Sequence, residues 1–319
     1  MCNSYLNGID KLATTGTTSF NLDLNDLVEE AFERCGHELR TGYDLRTARR
    51  SLNLLTVEWA NRGINLWTIE QGAIVMATGQ AVYPLPSNTI DLLDQVIRQN
   101  NGTTNQIDIN INRISESTYS TIPNKLTQGR PIQVWINRQS GASNATTVTL
   151  NGGISATDTT ITVSSTANLS SSGFIQIDNE VISYPNVSGN QLINCARGQN
   201  NTTAATHITG ASLTTLNLPS INVWPTPNAQ GNQYTFVYWR LRRVQDAGDG
   251  VNTQDIPFRF LNCMVAGLAY YLSIKLPNVP IERITGLKAD YEQQFQLAAD
   301  EDREKASIRF VPRNMSYTR

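Results

Sequence analysis

The sequence is poor in the residues from which enzymes build catalytic and metal sites. It contains only two histidines, His37 and His207, and neither has a ligand or a nucleophile at a useful spacing. The four cysteines are scattered and form no C-x-x-C pair, which argues against a zinc knuckle and a disulfide framework. No nucleophile-elbow, zinc-protease, P-loop or dinucleotide motif occurs. We therefore predict no catalytic residue, no metal site and no cofactor, and we expect a protein that is not an enzyme.

Charge and long apolar runs are also scarce. Only 16% of the residues are charged and the formal net charge is -2, which disfavours a protein that coats nucleic-acid backbones. No apolar run is long enough to cross a membrane, and the N-terminus lacks the basic-then-apolar pattern of a signal peptide. We expect a soluble chain that is not secreted and has no membrane partner.

Apolar residues recur every three or four positions near the N-terminus, which predicts two amphipathic helices. The first has Asp23 or Asn25 as its cap and Gly36 as its stop. The second is entered at Thr41 and ends at Gly63, after which strand-like sequence begins. Short connections of this kind favour antiparallel packing of the two helices.

Two more helical patterns follow near the C-terminus. One begins at Pro257 and ends at Pro277, and the other opens near Pro280 and continues into the charged residues 300–305. Four amphipathic helices, two from each end of the chain, can bury each other's apolar stripes, so we predict a helical bundle. Cys35 and Cys263 fall on apolar helix faces and are predicted to be buried.

The sequence between the helices alternates in the manner of strands. Residues 74–76 and 81–83 flank a Thr-Gly-Gln turn and predict a hairpin. Residues 132–137 and 221–224 are predicted to be neighbouring strands of one sheet. Residues 233–243 are apolar on both faces until the arginines, which predicts a central strand whose end emerges into solvent or a partner.

Residues 140–218 differ from the rest because they carry very few charges and are dense in Ser, Thr, Asn and Gly. Short strand patterns at residues 160–163, 174–177 and 180–184 favour a small β module over disorder, with a tight turn at Asp178-Asn179. Since the flanking strands are predicted to belong to one sheet, we interpret this segment as an insertion.

The sequence therefore predicts an α+β fold with three structural parts. These are a helical bundle formed by the N- and C-terminal helices, an antiparallel β region between them, and the inserted small all-β module. In chain order the predicted parts are an N-terminal arm (1–22), the helical pair with the first half of the β region (23–139), the inserted module (140–218), the second half of the β region with the C-terminal helices (219–305), and a C-terminal tail (306–319).

Three groups of arginines are candidates for contacts with other molecules. Two of the groups lie on the polar side of the second helix and at the end of the central strand, and neither has the dense basic footprint of a DNA reader. These inter-subunit candidates are Arg46, Arg49, Arg50, Arg240, Arg242 and Arg243. The third group lies in the C-terminal tail, which either frays or docks into another subunit. Its candidate docking residues are Arg309, Phe310, Val311, Pro312, Arg313, Tyr317 and Arg319.

Five segments carry a likeness to a known family. They are RRSLNLLTVEWANRGINLWTIE, QGRPIQVWINR, YTFVYWRLRRVQDAG, DIPFRFLNCMVAGLAYYL and LKADYEQQFQLAADEDREKASIRFVPR. Together they resemble the head-to-tail adaptor proteins of short-tailed bacteriophages, the tail tubular protein A-like group. The likeness covers residues 23–137 and 221–312 and includes no catalytic motif.

This resemblance implies a virion protein at the head–tail junction, assembled in the host cytoplasm as a ring that is commonly of twelve copies. Its partners would be the portal protein and the tail nozzle protein, and DNA would pass through the lumen without sequence-specific binding. The resemblance also implies that residues 306–319 insert against the portal. In such a ring the six arginines listed above are candidates for contacts with neighbouring subunits or for the lumen. Residues 140–218 depart from the family, and we place them on the outside of the ring, where a tail fibre is a candidate partner.

A second interpretation comes from another class of protein. The polar β module also suggests a tail-associated protein that binds or cleaves glycans. Such a protein needs aromatic platforms and paired acids, and residues 140–218 contain only Phe174 and Tyr184 as aromatics. We therefore keep this interpretation as the alternative.

Overall fold

The computed structural model describes residues 15–64, 66–139 and 143–303. The α-helices of these residues are α1 (Leu24–Cys35), α2 (Gly42–Asn61), α3 (Glu116–Ser120), α4 (Leu261–Ser273) and α5 (Ile281–Glu301). The strands are β1 (Ile69–Val75), β2 (Val82–Pro84), β3 (Thr89–Gln99), β4 (Ile107–Asn110), β5 (Asn112–Arg113), β6 (Gln128–Gly129), β7 (Gln133–Asn137), β8 (Ser143–Thr149), β9 (Ile161–Thr162), β10 (Gly173–Ile177), β11 (Glu180–Tyr184), β12 (Asn186–Ser188), β13 (Gln191–Ile193), β14 (Ala196–Gln199), β15 (Ser212–Leu216), β16 (Ser220–Trp224), β17 (Thr226–Pro227) and β18 (Thr235–Arg242).

The described chain divides into two compact units. The helical unit contains residues 15–67 and 244–303, and the strand unit contains residues 68–243. The α+β prediction is confirmed, since helices occur together with sheets whose strand pairs are mostly antiparallel. The five-part division predicted from the sequence stays a prediction. Residues 1–14 of the predicted arm and residues 306–319 of the predicted tail lie outside the described residues.

The predicted boundaries of the N-terminal helices are confirmed by their caps. The carboxylate of Asp23 accepts a hydrogen bond from the backbone N–H of Asp26 at 2.9 Å, and α1 ends at Gly36 in the left-handed conformation. The side chains of Thr41 and Asp44 form a reciprocal capping box at the start of α2. Each cap satisfies backbone groups that the helix itself leaves unpaired.

The apolar stripes of α1, α2, α4 and α5 contribute to one hydrophobic core. At its centre the indole N–H of Trp59 donates to the hydroxyl of Tyr291 at 3.2 Å, so the polar atoms of both rings are paired. Cys35 and Cys263 are buried in this core, as predicted. Burial raises the pKa of the Cys35 thiol to about 11 and that of Cys263 to about 12, which keeps both as unreactive thiols.

The exit from α2 differs from the sequence prediction. Strand-like sequence was expected from Ile64 onward, but residues Leu66–Thr68 form a short 3-10 helix and β1 begins only at Ile69. The indole of Trp67 packs 5.0 Å from the ring of Phe260 and donates to the carbonyl of Asp255 at 2.9 Å. These contacts with distant sequence place Trp67 in the helical core.

The first sheet of the strand unit has the order β1-β18-β3-β4. Strand β18 is flanked on both sides, so the predicted central position of residues 233–243 is confirmed. The predicted hairpin of residues 74–76 and 81–83 is wrong, because β1 pairs with β18 whereas β2 pairs with β16. The hydroxyl of Tyr83 bonds both the N–H and the carbonyl of Ala77, at 3.0 and 3.1 Å, where the chain leaves one sheet for the next.

The second sheet has the order β2-β16-β7-β5 and confirms a long-range prediction. Strand β16 pairs with β7 from Ser220 opposite Asn137 to Trp224 opposite Gln133. Residues 132–137 and 221–224 are therefore neighbours in one sheet, although about 80 residues of sequence separate them. Side chains from the first and second sheets bury one another in a shared core.

Strands between residues 143 and 216 pair with each other. They form a five-stranded sheet, β14-β11-β10-β15-β8, and a three-stranded sheet, β12-β13-β9, over a separate hydrophobic core. The turn predicted at Asp178-Asn179 is confirmed, since it joins β10 to β11 with Ile177 opposite Glu180. A small cluster of Phe174, Val181 and Leu218 packs against Val82 outside the module. That the module is an insertion stays a prediction.

Candidate functional site

The three predicted arginines of α2 have different environments in the structure. The guanidinium of Arg49 pairs with the carboxylate of Asp249 at 2.9 Å. Arg46 and Arg50 lie one helical turn apart, are exposed, and make no ion pair within residues 15–64, 66–139 and 143–303. Two cations are therefore left available on this part of α2.

Arg50 borders a groove of about 360 Å³ between the start of α2 and the end of α4. We call this groove the basic pocket, and its lining includes Tyr43, Asp44, Thr47, Arg50, Leu272 and Lys275. The ammonium of Lys275 donates to the hydroxyl of Ser51 at 2.7 Å. Burial, together with the neighbouring charge of Arg50, lowers the pKa of Lys275. The carboxylate of Asp44 is held in the capping box, where it accepts from the Thr41 N–H at 3.1 Å.

A second groove, of about 430 Å³, lies between α1 and the start of α4. We call it the acidic groove, and its lining includes Phe20, Asp26, Glu29, Glu33, Leu261 and Val265. Glu30 also lines the groove, but it forms an ion pair with the guanidinium of Arg34 at 2.9 Å. The same guanidinium lies 3.6 Å from the carboxylate of Asp290. The carboxylates of Asp26, Glu29 and Glu33 make no ion pair with any residue that the structure describes. Their positions place them on one side of α1.

The arginines that end β18 are held within the strand unit. The guanidinium of Arg240 donates to Glu70 at 2.7 Å and to the side chain of Asn88 at 2.6 Å, and that of Arg242 donates to the other oxygen of Glu70 at 2.5 Å. Arg240 is only 9% exposed and is paired within its own chain, so the prediction that this end of the strand emerges into solvent or a partner is wrong for Arg240. The reason is the register, which sets Glu70 of β1 directly opposite Arg240. Arg243 is exposed.

The predicted portal-docking residues, from Arg309 to Arg319, all lie outside the described residues. Their predicted role stays a prediction.

Sequence reasoning missed a buried charged network in the β module. Glu180 and Arg197 form a two-point ion pair with both distances at 2.8 Å, and the ring of His207 bonds Glu180 and Asp178, each at 2.8 Å. The side chains of Glu180, Arg197 and His207 are all less than a tenth exposed. No spacing in the sequence connects these three residues. Their presence in a segment with very few charged residues was the available signal, because charged side chains that become buried need partners.

The network is built for stability rather than chemistry. Burial alone would raise the pKa of Glu180, but hydrogen bonds from Arg197, His207 and the N–H groups of Ala205 and Gly198 lower it to about 2. Both carboxylate oxygens are thus occupied by donors. Arg197 also donates to the carbonyls of Ser155 and Ala205. Such an arrangement leaves Glu180 with no role as a general acid near neutral pH.

Two other kinds of site are absent from the described part of the chain. No group of three or more His, Cys, Asp or Glu side chains there could hold a metal ion. No described helix combines the length and the apolar character needed to cross a membrane. No protein-family model matches the chain, and no curated protein matches it significantly.

Proposed function

We propose that this chain is a non-enzymatic structural protein of a virion, a head-to-tail adaptor. Copies of it form a ring between the portal and the tail nozzle, and DNA passes through the lumen. The observation that carries the proposal is the place of the adaptor-like segments in the fold. The described parts of these segments, which include residues 255–272 and 287–303, supply much of α2, α4 and α5, and these helices bury their apolar stripes in one core.

Because these helices share one core, we infer that they form the structural framework of the ring. In this proposal α1, α2, α4 and α5 act together as a bundle and supply the contacts between copies in the ring. Proteins that assemble into rings need surfaces that stay unsatisfied in the single chain. The basic pocket and the acidic groove, both on the helical unit, provide such surfaces.

The glycan-directed alternative receives less support from the β module. Both of its aromatic side chains, Phe174 and Tyr184, are buried in hydrophobic clusters, so neither offers a stacking platform. Glu180 is held in the buried ion pair with Arg197. Glycoside hydrolysis needs two carboxyl groups flanking an accessible bond, and Glu180 is not accessible.

The proposed function is tested by deleting residues 306–319 and measuring binding to purified portal rings. The shortened chain is expected to lose portal binding, because the Arg and aromatic residues of the tail are of the kinds enriched at interface cores. Its far-UV circular dichroism and thermal midpoint should match those of the full chain. A shortened chain that is folded and still binds portal would remove the docking role.

A further inference from the structure

Two oppositely charged grooves lie at the two ends of α4. The acidic groove includes Leu261 from the first turn of α4, and the basic pocket includes Leu272 from its last turn. These residues are eleven positions apart, which corresponds to about 16 Å along a helix. Since α4 is the most deeply buried of the helices in this core, the two grooves are held at a fixed spacing.

Each groove keeps a net charge within the residues that the structure covers. In the acidic groove Asp26, Glu29 and Glu33 lack ion pairs. In the basic pocket Arg50 lacks one, and Arg50 and Lys275 outnumber the single carboxylate of Asp44. Arg46 also lacks an ion pair and lies beside the pocket, one turn before Arg50 on α2. Like charges held together in this way repel one another, and an external partner of opposite sign relieves that repulsion. The two grooves therefore carry charges of opposite sign, so that each can attract the other on a second copy.

Each groove is also bordered by an exposed aromatic side chain. Phe20 beside the acidic groove is 76% exposed, and Tyr43 beside the basic pocket is 70% exposed. Aromatic side chains are enriched at the centres of protein interfaces, where they bury a large area with little loss of side-chain entropy. Combined with apolar floors formed by α4, these rings fit a protein partner.

We propose that the acidic groove of one copy of this chain binds the basic pocket of the next copy. The two surfaces are different patches on the same molecule, so the contact is head-to-tail and each copy keeps one groove free for a further copy. A repeated contact of this kind generates a closed ring when its rotation closes. This inference rests on the proposed function and identifies the surfaces through which the ring would form.

A nucleic-acid backbone is a competing occupant of the basic pocket, since phosphates are also anions. The lining argues for a protein instead. Asp44 places a carboxylate at the pocket, and Tyr43, Leu272 and Leu276 make much of it apolar. A site for phosphates carries a denser set of cations and avoids carboxylates.

The test uses two charge-reversed variants of the full chain. The first, Glu29→Lys/Glu33→Lys, reverses the charge of the acidic groove. The second, Arg46→Glu/Arg50→Glu, reverses the charge of the basic pocket through Arg50 and that of its border on α2 through Arg46. All four residues are exposed and make no ion pair that the structure records, so both variants should fold. A control variant, Asp94→Lys/Glu116→Lys, makes the same change of net charge as the first at exposed sites of the strand unit.

Assembly is measured by native mass spectrometry at the highest soluble concentration, and again on portal rings. Wild type and control should assemble alike, and each reversed variant alone should remain a monomer. An equimolar mixture of the two reversed variants should restore assembly, with both masses present in equal number, because every contact in the mixture again joins opposite charges.

Several results would overturn the inference. These are a wild type that never self-associates, reversed variants that assemble as wild type does, a mixture that stays monomeric, or a basic-pocket variant whose only defect is weaker binding to duplex DNA. Portal binding is scored separately. A chain that binds portal through its tail but fails the mixing test loses only this inference, whereas a chain that binds no portal loses the proposed function itself.

Discussion

At the scale of single residues, the buried network around Glu180 offers the sharpest test. Replacing Glu180 by Gln removes the partner of the buried Arg197 guanidinium and leaves that charge uncompensated. Loss of one partner of a buried ion pair typically costs about 3–5 kcal/mol. We therefore expect Glu180→Gln to lower the free energy of unfolding by about this amount, measured by urea titration at pH 7.

The effect should depend on pH in a defined direction. The pKa of Glu180 is about 2 in the folded chain against 4.5 for an ordinary glutamate. The folded state therefore binds fewer protons, so its stabilisation is full above pH 4.5 and is lost as the pH falls toward 2. The difference between wild type and Glu180→Gln should shrink when the titration is repeated at pH 3.

The matched control for this substitution is Asp178→Asn. Asp178 also bonds His207, but its side chain is 69% exposed. Exposed ion pairs contribute about 0–1 kcal/mol, so this variant should stay close to wild type. Equal destabilisation by the two variants, or a Glu180→Gln effect that is constant from pH 7 to pH 3, would contradict our interpretation of the network.

At the scale of elements, the stripe of α2 makes a prediction with an internal control. Leu55 is fully buried in the helical core, whereas its neighbour Leu54 is 52% exposed. Leu55→Ala should cost about 2–5 kcal/mol of unfolding free energy, because it leaves a cavity in the core. Leu54→Ala should change that free energy by about 0.5 kcal/mol or less. Chemical denaturation of both variants checks this, and a reversed order would show that the face of α2 is misassigned.

Local sequence was sufficient to predict the four longer helices and the long central strand, but the short helix α3 was missed. Caps such as Asp23 and Thr41, together with the spacing of apolar residues, act within a few positions of the chain, so they can be read directly. The pairing of β16 with β7 was also predicted, from the strand-like sequence of residues 132–137 and 221–224 on either side of the polar segment.

Most other contacts between residues far apart in the sequence could not be predicted. Tyr83 seemed suited to a hairpin with β1, but its hydroxyl fixes Ala77 and its strand pairs with β16. Arg240 was expected in solvent or against a partner because nothing nearby in sequence revealed Glu70 opposite it. The two grooves likewise depend on which helix ends meet.

At the scale of the whole molecule, the β module should be removable. Its flanking strands, β7 and β16, already pair with each other, so a short linker in place of residues 140–218 preserves that sheet. The deletion exposes Val82, which packs against Phe174 and Val181, and some loss of stability is expected. Circular dichroism and a cooperative thermal transition would check the fold. Global unfolding would show that the module is an integral part of the strand unit.

The central claim is that this chain works as a ring at a head–tail junction. The most direct measurement is the particle mass of the purified protein, with and without portal rings, by native mass spectrometry or mass photometry. We predict a closed ring of uniform copy number, commonly twelve for the resembling adaptors, that remains bound to portal. A chain that stays monomeric under both conditions would contradict the account.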